Sequence, residues 1–132
     1  MATLKSCTEI TAWQKSRDLS LQIFDITCKG SFYRDFGLKD QINRATGSIM
    51  DNIAEGFERD SKNEFVNFLS YSKGSAGETI SQLYRALDRR HITVDEFNQL
   101  KSNTEEVGKL IGGLIQYLNR SNIRGQKFKD RA

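Results

Sequence analysis

The stretch TVDEFNQLKSNTEEVGKLIGGLIQYL, residues 93–118, decides the fold class. It opens with Thr93-Val-Asp-Glu96, a capping box: the threonine hydroxyl accepts from the free amides of a first helical turn, and the glutamate reaches back to the cap. Phe97, Leu100, Thr104, Val107, Ile111, Leu114 and Leu118 then recur at intervals of 3, 4, 3, 4, 3 and 4. This heptad-like seam is the pattern that the helices of a bundle use against one another.

Working outward, the same logic repeats three times. Ser61-Lys-Asn-Glu64 is a second capping box, and behind it Phe65, Phe68, Leu69, Ser72, Ala76, Thr79, Leu83, Ala86 and Leu87 form one face of a helix. Upstream, Leu38, Ile42, Ala45, Ile49, Ile53 and Gly56 fall at spacings of 4, 3, 4, 4 and 3, predicting a helix from Leu38 to Arg59. A first helix is predicted from Thr11 to Lys29, with Trp13, Leu19, Ile23, Phe24 and Ile26 on its apolar side and Gly30 as its stop. The links are short: about eight residues, then one or two, then about four, which makes successive helices antiparallel neighbours. The expected fold is all-α, an antiparallel up-and-down four-helix bundle over residues 1–120. Residues 121–132, with little apolar content and no cap, are expected to be a basic, mobile tail.

Composition agrees. The 132 residues fit one domain that needs no metal or disulfide to bury a core. The sequence contains no proline, which suits long helices with short links. No apolar run approaches the ~20 residues of a membrane span, and MATLKSCTEI lacks the apolar stretch of a secretion signal. Cys7 and Cys28 make no CxxC and read as free thiols, so a cytoplasmic location is expected. From Asn119 onward five bases (Arg120, Arg124, Lys127, Lys129, Arg131) face one acid, Asp130, while the rest of the chain is close to neutral. Charge alone therefore does not make the whole chain a nucleic-acid binder.

Two polar stripes stand out. The second predicted helix carries Ser48, Asn52, Glu55 and Arg59 on one face, and the third carries Ser75, Glu78, Gln82 and Arg85. One reading is a solvated face with local ion pairs, Glu55 with Arg59 and Glu78 with Arg85. The other is a network that meets another helix or subunit, where every member must be paired. Seven glycines (Gly47, Gly56, Gly74, Gly77, Gly108, Gly112, Gly113) lie inside predicted helices, at about 1 kcal/mol each relative to alanine. Close approach of another backbone is the usual offset. Catalytic signals are poor. His91, the only histidine, follows Arg89 and Arg90 and is expected to be a solvated loop imidazole. No phosphate loop, nucleophile elbow or zinc spacing is present, and no cofactor is expected. Asp51, Glu55, Glu58, Asp60 and Glu64 gather towards the pole from which the tail leaves. The tail therefore has two candidate partners, nucleic acid or an acidic pole.

The segment GLKDQINRATGSIMDNIAEGFER, residues 37–59, resembles the signature of the bacterial four-helix bundle proteins of the 23S ribosomal RNA intervening-sequence family. The pattern continues through Ser61, Glu64-Phe65, Phe68-Leu69, Gly74-Ser75, Glu78 and Gln82, and spans residues 10 to 118. Met50 stands where relatives usually have proline, and the Phe-Pro step of relatives is missing near Phe32-Tyr33. The resemblance implies a left-handed bundle, a ring-like homopentamer in several relatives, and no enzymatic activity. The related accessory proteins of diversity-generating retroelements bind reverse transcriptase and nucleic acid. The expectation is a homo-oligomeric scaffold for RNA or DNA, or for a nucleic-acid enzyme such as reverse transcriptase. Ser48, Asn52, Glu55, Arg59, Ser75, Glu78, Gln82 and Arg85 are its interface network. Arg44, Arg89, Arg90, Arg120, Arg124, Lys127, Lys129 and Arg131 are its candidate phosphate contacts. The alternatives are a purely structural protein–protein module and an enzyme using the Glu55 and Glu78 carboxylates.

Overall fold

The computed structural model describes residues 4–120. Among these the chain forms five helices and no strand: α1 (Thr11–Thr27), α2 (Gly30–Arg34), α3 (Phe36–Phe57), α4 (Lys62–Asp88) and α5 (Val94–Arg120), preceded by a 3-10 turn at Cys7–Glu9. No helix among them is long and apolar enough to cross a membrane.

Both capping boxes start helices where the pattern places them. Thr93 Oγ1 accepts from the Glu96 amide at 3.1 Å while Glu96 returns a carboxylate to the Thr93 amide at 2.8 Å. Ser61 accepts from the Glu64 amide at 3.1 Å, but Glu64 takes the serine hydroxyl, at 3.4 Å, in place of the cap amide. The link after α1 departs from expectation. It is not a plain loop: α1 ends at Thr27, before Gly30, and Gly30 opens the short helix α2. Its φ of 54° is a left-handed turn that redirects the chain, a conformation costly for residues with a Cβ. That turn drops Phe32 into the core, fully buried. Asp35 then caps α3, its carboxylate accepting from the Leu38 amide at 3.3 Å.

Each long helix packs mainly on two others: α3 on α1 and α4, and α5 on α4 and α1. Gln41 meets Arg85 and Ser48 meets Ser75, so numbers rise along α3 as they fall along α4. The enclosed core is Leu19, Ile23, Phe32, Leu38, Ile42, Ile49, Ile53, Phe57, Phe65, Leu69, Leu83 and Ile111, all fully buried. Phe24 does not join it; at 55% exposure it corrects the expected apolar face of α1, whose inward positions are Ala12, Ser16, Leu19, Ile23 and Thr27. Four of the core hydroxyls are satisfied within their own helix. Ser16, Thr46, Thr79 and Thr104 each donate to the carbonyl four residues back, at 2.6–3.0 Å. Small polar residues can therefore line tight helix contacts without leaving a dry donor unpaired. Cys7 and Cys28 lie beyond opposite ends of α1, a helix about 25 Å long, and are free thiols. Burial, then the nearby Glu58 carboxylate, pushes the Cys7 thiol up, which sets the N-terminal turn beside the end of α3.

Close backbone approach explains one helical glycine within the chain. A Cβ on Gly56 would lie 2.7 Å from Phe68 Cβ and 2.9 Å from Phe65 Cδ1, so α3 and α4 touch there. Gly47, Gly74, Gly77, Gly108 and Gly113 face open space, and Gly112 meets only the end of Lys73 at 3.6 Å; intrachain contact is not their reason. Gly56→Ala is expected to destabilise the protein by about 1–3 kcal/mol through overpacking, more than its helix-propensity gain. Gly74→Ala is expected to stabilise by up to about 1 kcal/mol. Thermal melts of the two variants check the opposite signs.

Candidate functional site

The two polar stripes face each other along the α3–α4 contact. Ser75 donates to Ser48 Oγ at 3.1 Å, and the Asn52 amide donates to the same oxygen and to the Ser48 carbonyl, both at 2.9 Å. Ser72 adds a second cross-helix bond, donating to the Ile49 carbonyl at 2.6 Å. These bonds hold the register of the pair, because each fixes one turn of α3 to one turn of α4. At one end of the stripe Glu55 pairs with Arg59 at 3.1 Å, as the spacing predicts, and the Arg59 guanidinium lies 4.8 Å above the Phe68 ring. At the other end the expected Glu78–Arg85 pair gives way to a different one: Arg85 donates to Gln41 Oε1 at 2.8 Å, across the helices. A partner on the facing helix lets Arg85 bridge the seam.

Between this bond and the Ser48–Ser75 bond lies a groove of about 500 Å³, walled by Gln41, Arg44 and Ser48 from α3 and by Glu78, Gln82 and Arg85 from α4. Gln82 is 8% exposed and its Oε1 has no hydrogen-bond partner; nor has the buried Nε of Arg59. Flipping the Gln82 amide would put a donor in the same place, so either orientation leaves a dry polar group on the groove wall. An orphan of this kind costs about 1–3 kcal/mol until something pairs with it. Glu55, the other carboxylate of the enzyme alternative, does not line this groove.

The candidate phosphate contacts among the described residues sit on α3, after the end of α4 and at the end of α5. Arg44 is tied to Asp40 at 3.0 Å on a solvated face. Arg89 is drawn to Asp35 at 2.8 Å. Arg90 leaves α4 with a φ of 61°, and Arg120 is the exposed last residue of α5. Arg124, Lys127, Lys129 and Arg131 lie outside the described residues.

His91 corrects the sequence reading most sharply. Its side chain is only 9% exposed, its ring stacks on Phe32 with centroids 5.0 Å apart, and both nitrogens are engaged: Nδ1 with Ser31 Oγ and Nε2 with Asp35 Oδ2, each at 2.8 Å. A Ser–His–Asp relay is suggested by distance alone. The aspartate, however, also accepts from Arg89 and caps α3. That makes the cluster a clasp between α2 and the α4–α5 link. No local pattern around His91 announces it, because it depends on the α1–α3 link folding back. Asp35, three residues before Leu38 at a helix start, is visible as a cap by the ordinary rule.

Residues 8–113 match the family model described as 23S rRNA-intervening sequence protein. A crystal structure of a protein with unknown function from the S23 ribosomal protein family of Bacteroides thetaiotaomicron VPI-5482 is similar in fold, with a TM-score of 0.74 and 24% identity. The match covers 80% of this chain and 95% of that one. No curated protein matches the chain.

Proposed function

The chain belongs to the 23S rRNA-intervening sequence protein family, and from that premise we propose that it is a non-enzymatic homo-oligomeric scaffold for nucleic acid or a nucleic-acid enzyme. Its four long helices form a left-handed, antiparallel up-and-down bundle, and the α3–α4 seam is the face on which copies meet. The observation that carries this reading is the Gln82 amide, nine-tenths buried on the wall of an open groove with an unpaired oxygen. A second copy laid along the seam supplies the missing partner and dries the Glu55–Arg59 pair, and the mixed charge of Glu78, Arg44 and Arg85 fixes how it sits.

Native mass spectrometry of the full chain tests the proposal. A mass of several times 15.1 kDa is expected, five copies being the number that the family resemblance implies. A monomer as the sole species overturns the assembly. A gel shift of labelled RNA that weakens with salt is expected for the nucleic-acid partner. Its absence at low salt would leave an interaction module whose partner is protein.

A further inference from the structure

The nucleic-acid half of that function needs a surface, and residues 29–39 carry a combination of bases and exposed rings that suits one. Tyr33 and Phe36 are 51% and 66% exposed, and Lys39 reaches back over both rings, its Nζ 4.0 Å and 5.1 Å from their centroids. Lys29 caps α2 one turn before Tyr33, and Arg34 follows it; both are exposed. Residues 29–39 therefore present three bases and two half-exposed aromatic rings, each with Lys39 over one face.

The one acid in that stretch is turned away. Asp35 is 22% exposed, and its carboxylate is already occupied by His91, Arg89 and the Leu38 amide. Asp40, the next acid, is held by Arg44. Of the other acids of this end, Asp25, Asp95 and Glu96 line a separate groove between α1 and α5, and Asp88 is the exposed last residue of α4. The clasp around His91 thus has a consequence beyond holding two links together: it withdraws negative charge from the aromatic surface beside it.

We propose that Tyr33, Phe36 and Lys39, flanked by Lys29 and Arg34, form a stacking platform for single-stranded nucleic acid. The inference rests on the nucleic-acid reading above and names its site. Exposed rings offer π-faces to unpaired bases, and nearby cations meet the phosphates between them. Duplexes do not fit as well, since their bases are already stacked and present no free face. An acidic peptide would engage the cations while leaving the rings unused.

Fluorescence anisotropy with labelled oligo(U) and oligo(dT), using the full chain, tests the platform. Phe36→Ala is expected to weaken binding about 5- to 150-fold, the loss of one stacked base, and Tyr33→Ala by a similar factor. Tyr71→Ala, an equally exposed ring on α4, is expected to leave binding unchanged. Lys39→Gln is expected to lower the slope of log affinity against log salt by about 0.7, one phosphate contact. Circular dichroism melts confirm that the variants remain folded. Wild-type binding that Phe36→Ala and Tyr33→Ala do not disturb overturns the platform alone. Equal losses on single and double strands overturn stacking as its mechanism. No binding of either oligonucleotide by the wild type overturns both the platform and the nucleic-acid reading, while binding of an acidic peptide instead points to a protein partner.

Discussion

Asp35→Ala is expected to destabilise the protein by about 2–4 kcal/mol, on the order of 10 °C in Tm. One carboxylate performs three tasks: it caps α3 at Leu38, it accepts from Arg89, and it holds His91 against Phe32. Loss of a cap costs about 0.5–2 kcal/mol. The His91 bond adds to this because the ring is nearly buried and its freed nitrogen would lose its partner, whereas the half-exposed Arg89 contributes less. Asp40→Ala provides the contrast. Asp40 and Arg44 are 61% and 79% exposed, so removing that pair is expected to cost about 0–1 kcal/mol. Equal melting temperatures for the two variants would show that the clasp holds nothing.

The same residue sets an acid limit. The hydrogen bond from His91, then that from Arg89, holds the Asp35 carboxyl down at about 2 against an ordinary 3.8. The folded pKa is below the unfolded one, so the stabilisation is fully present above the unfolded value. It is lost as pH falls from about 4 towards 2. Chemical denaturation across that window is expected to show a shallower acid limb for Asp35→Ala than for the wild type.

Gln82→Leu is expected to separate assembly from folding. In a lone subunit the change replaces an unpaired amide with an apolar side chain of similar size, which is neutral or stabilising. Where a second copy supplies the amide's partner, the same change strands that partner in a dry contact, at about 1–3 kcal/mol per interface. The expected result is an unchanged or higher subunit stability, with an association constant lowered about 5- to 150-fold per contact. Concentration-dependent light scattering and urea melts, run on the same sample, read the two effects separately. An assembly that survives the change undiminished would place the interface elsewhere.

Helix periodicity and capping carried most of the fold, because both are local. Thr93 and Ser61 start helices by hydrogen bonds to residues three positions on, and the seams of α3, α4 and α5 face the core as spaced. What escaped depends on distant parts of the chain. Phe24 fits an apolar stripe by spacing, yet only the positions of α3 and α5 around α1 decide that it faces outwards. Arg85 shares a helix face with Glu78, but two helical turns separate them, and Gln41 wins because the two helices bring it within 2.8 Å. His91 is 60 residues from Ser31 and 56 from Asp35, so no window of sequence holds the clasp. Ser48 and Asn52 were legible as one stripe and Ser75 as part of another because helical spacing is local; that Ser48 meets Ser75 depends on how α3 packs on α4. The orphaned end of Gln82 was not legible, since burial of a single atom is a property of packing.

Sedimentation equilibrium of the wild-type chain at micromolar concentration tests the central claim most directly, because it weighs the particle without assuming its shape. A mass several times 15.1 kDa, falling towards one subunit in Gln82→Leu, is the predicted result. A wild-type mass of about 15.1 kDa at every concentration would contradict it, leaving the α3–α4 groove a solvated surface of a monomer.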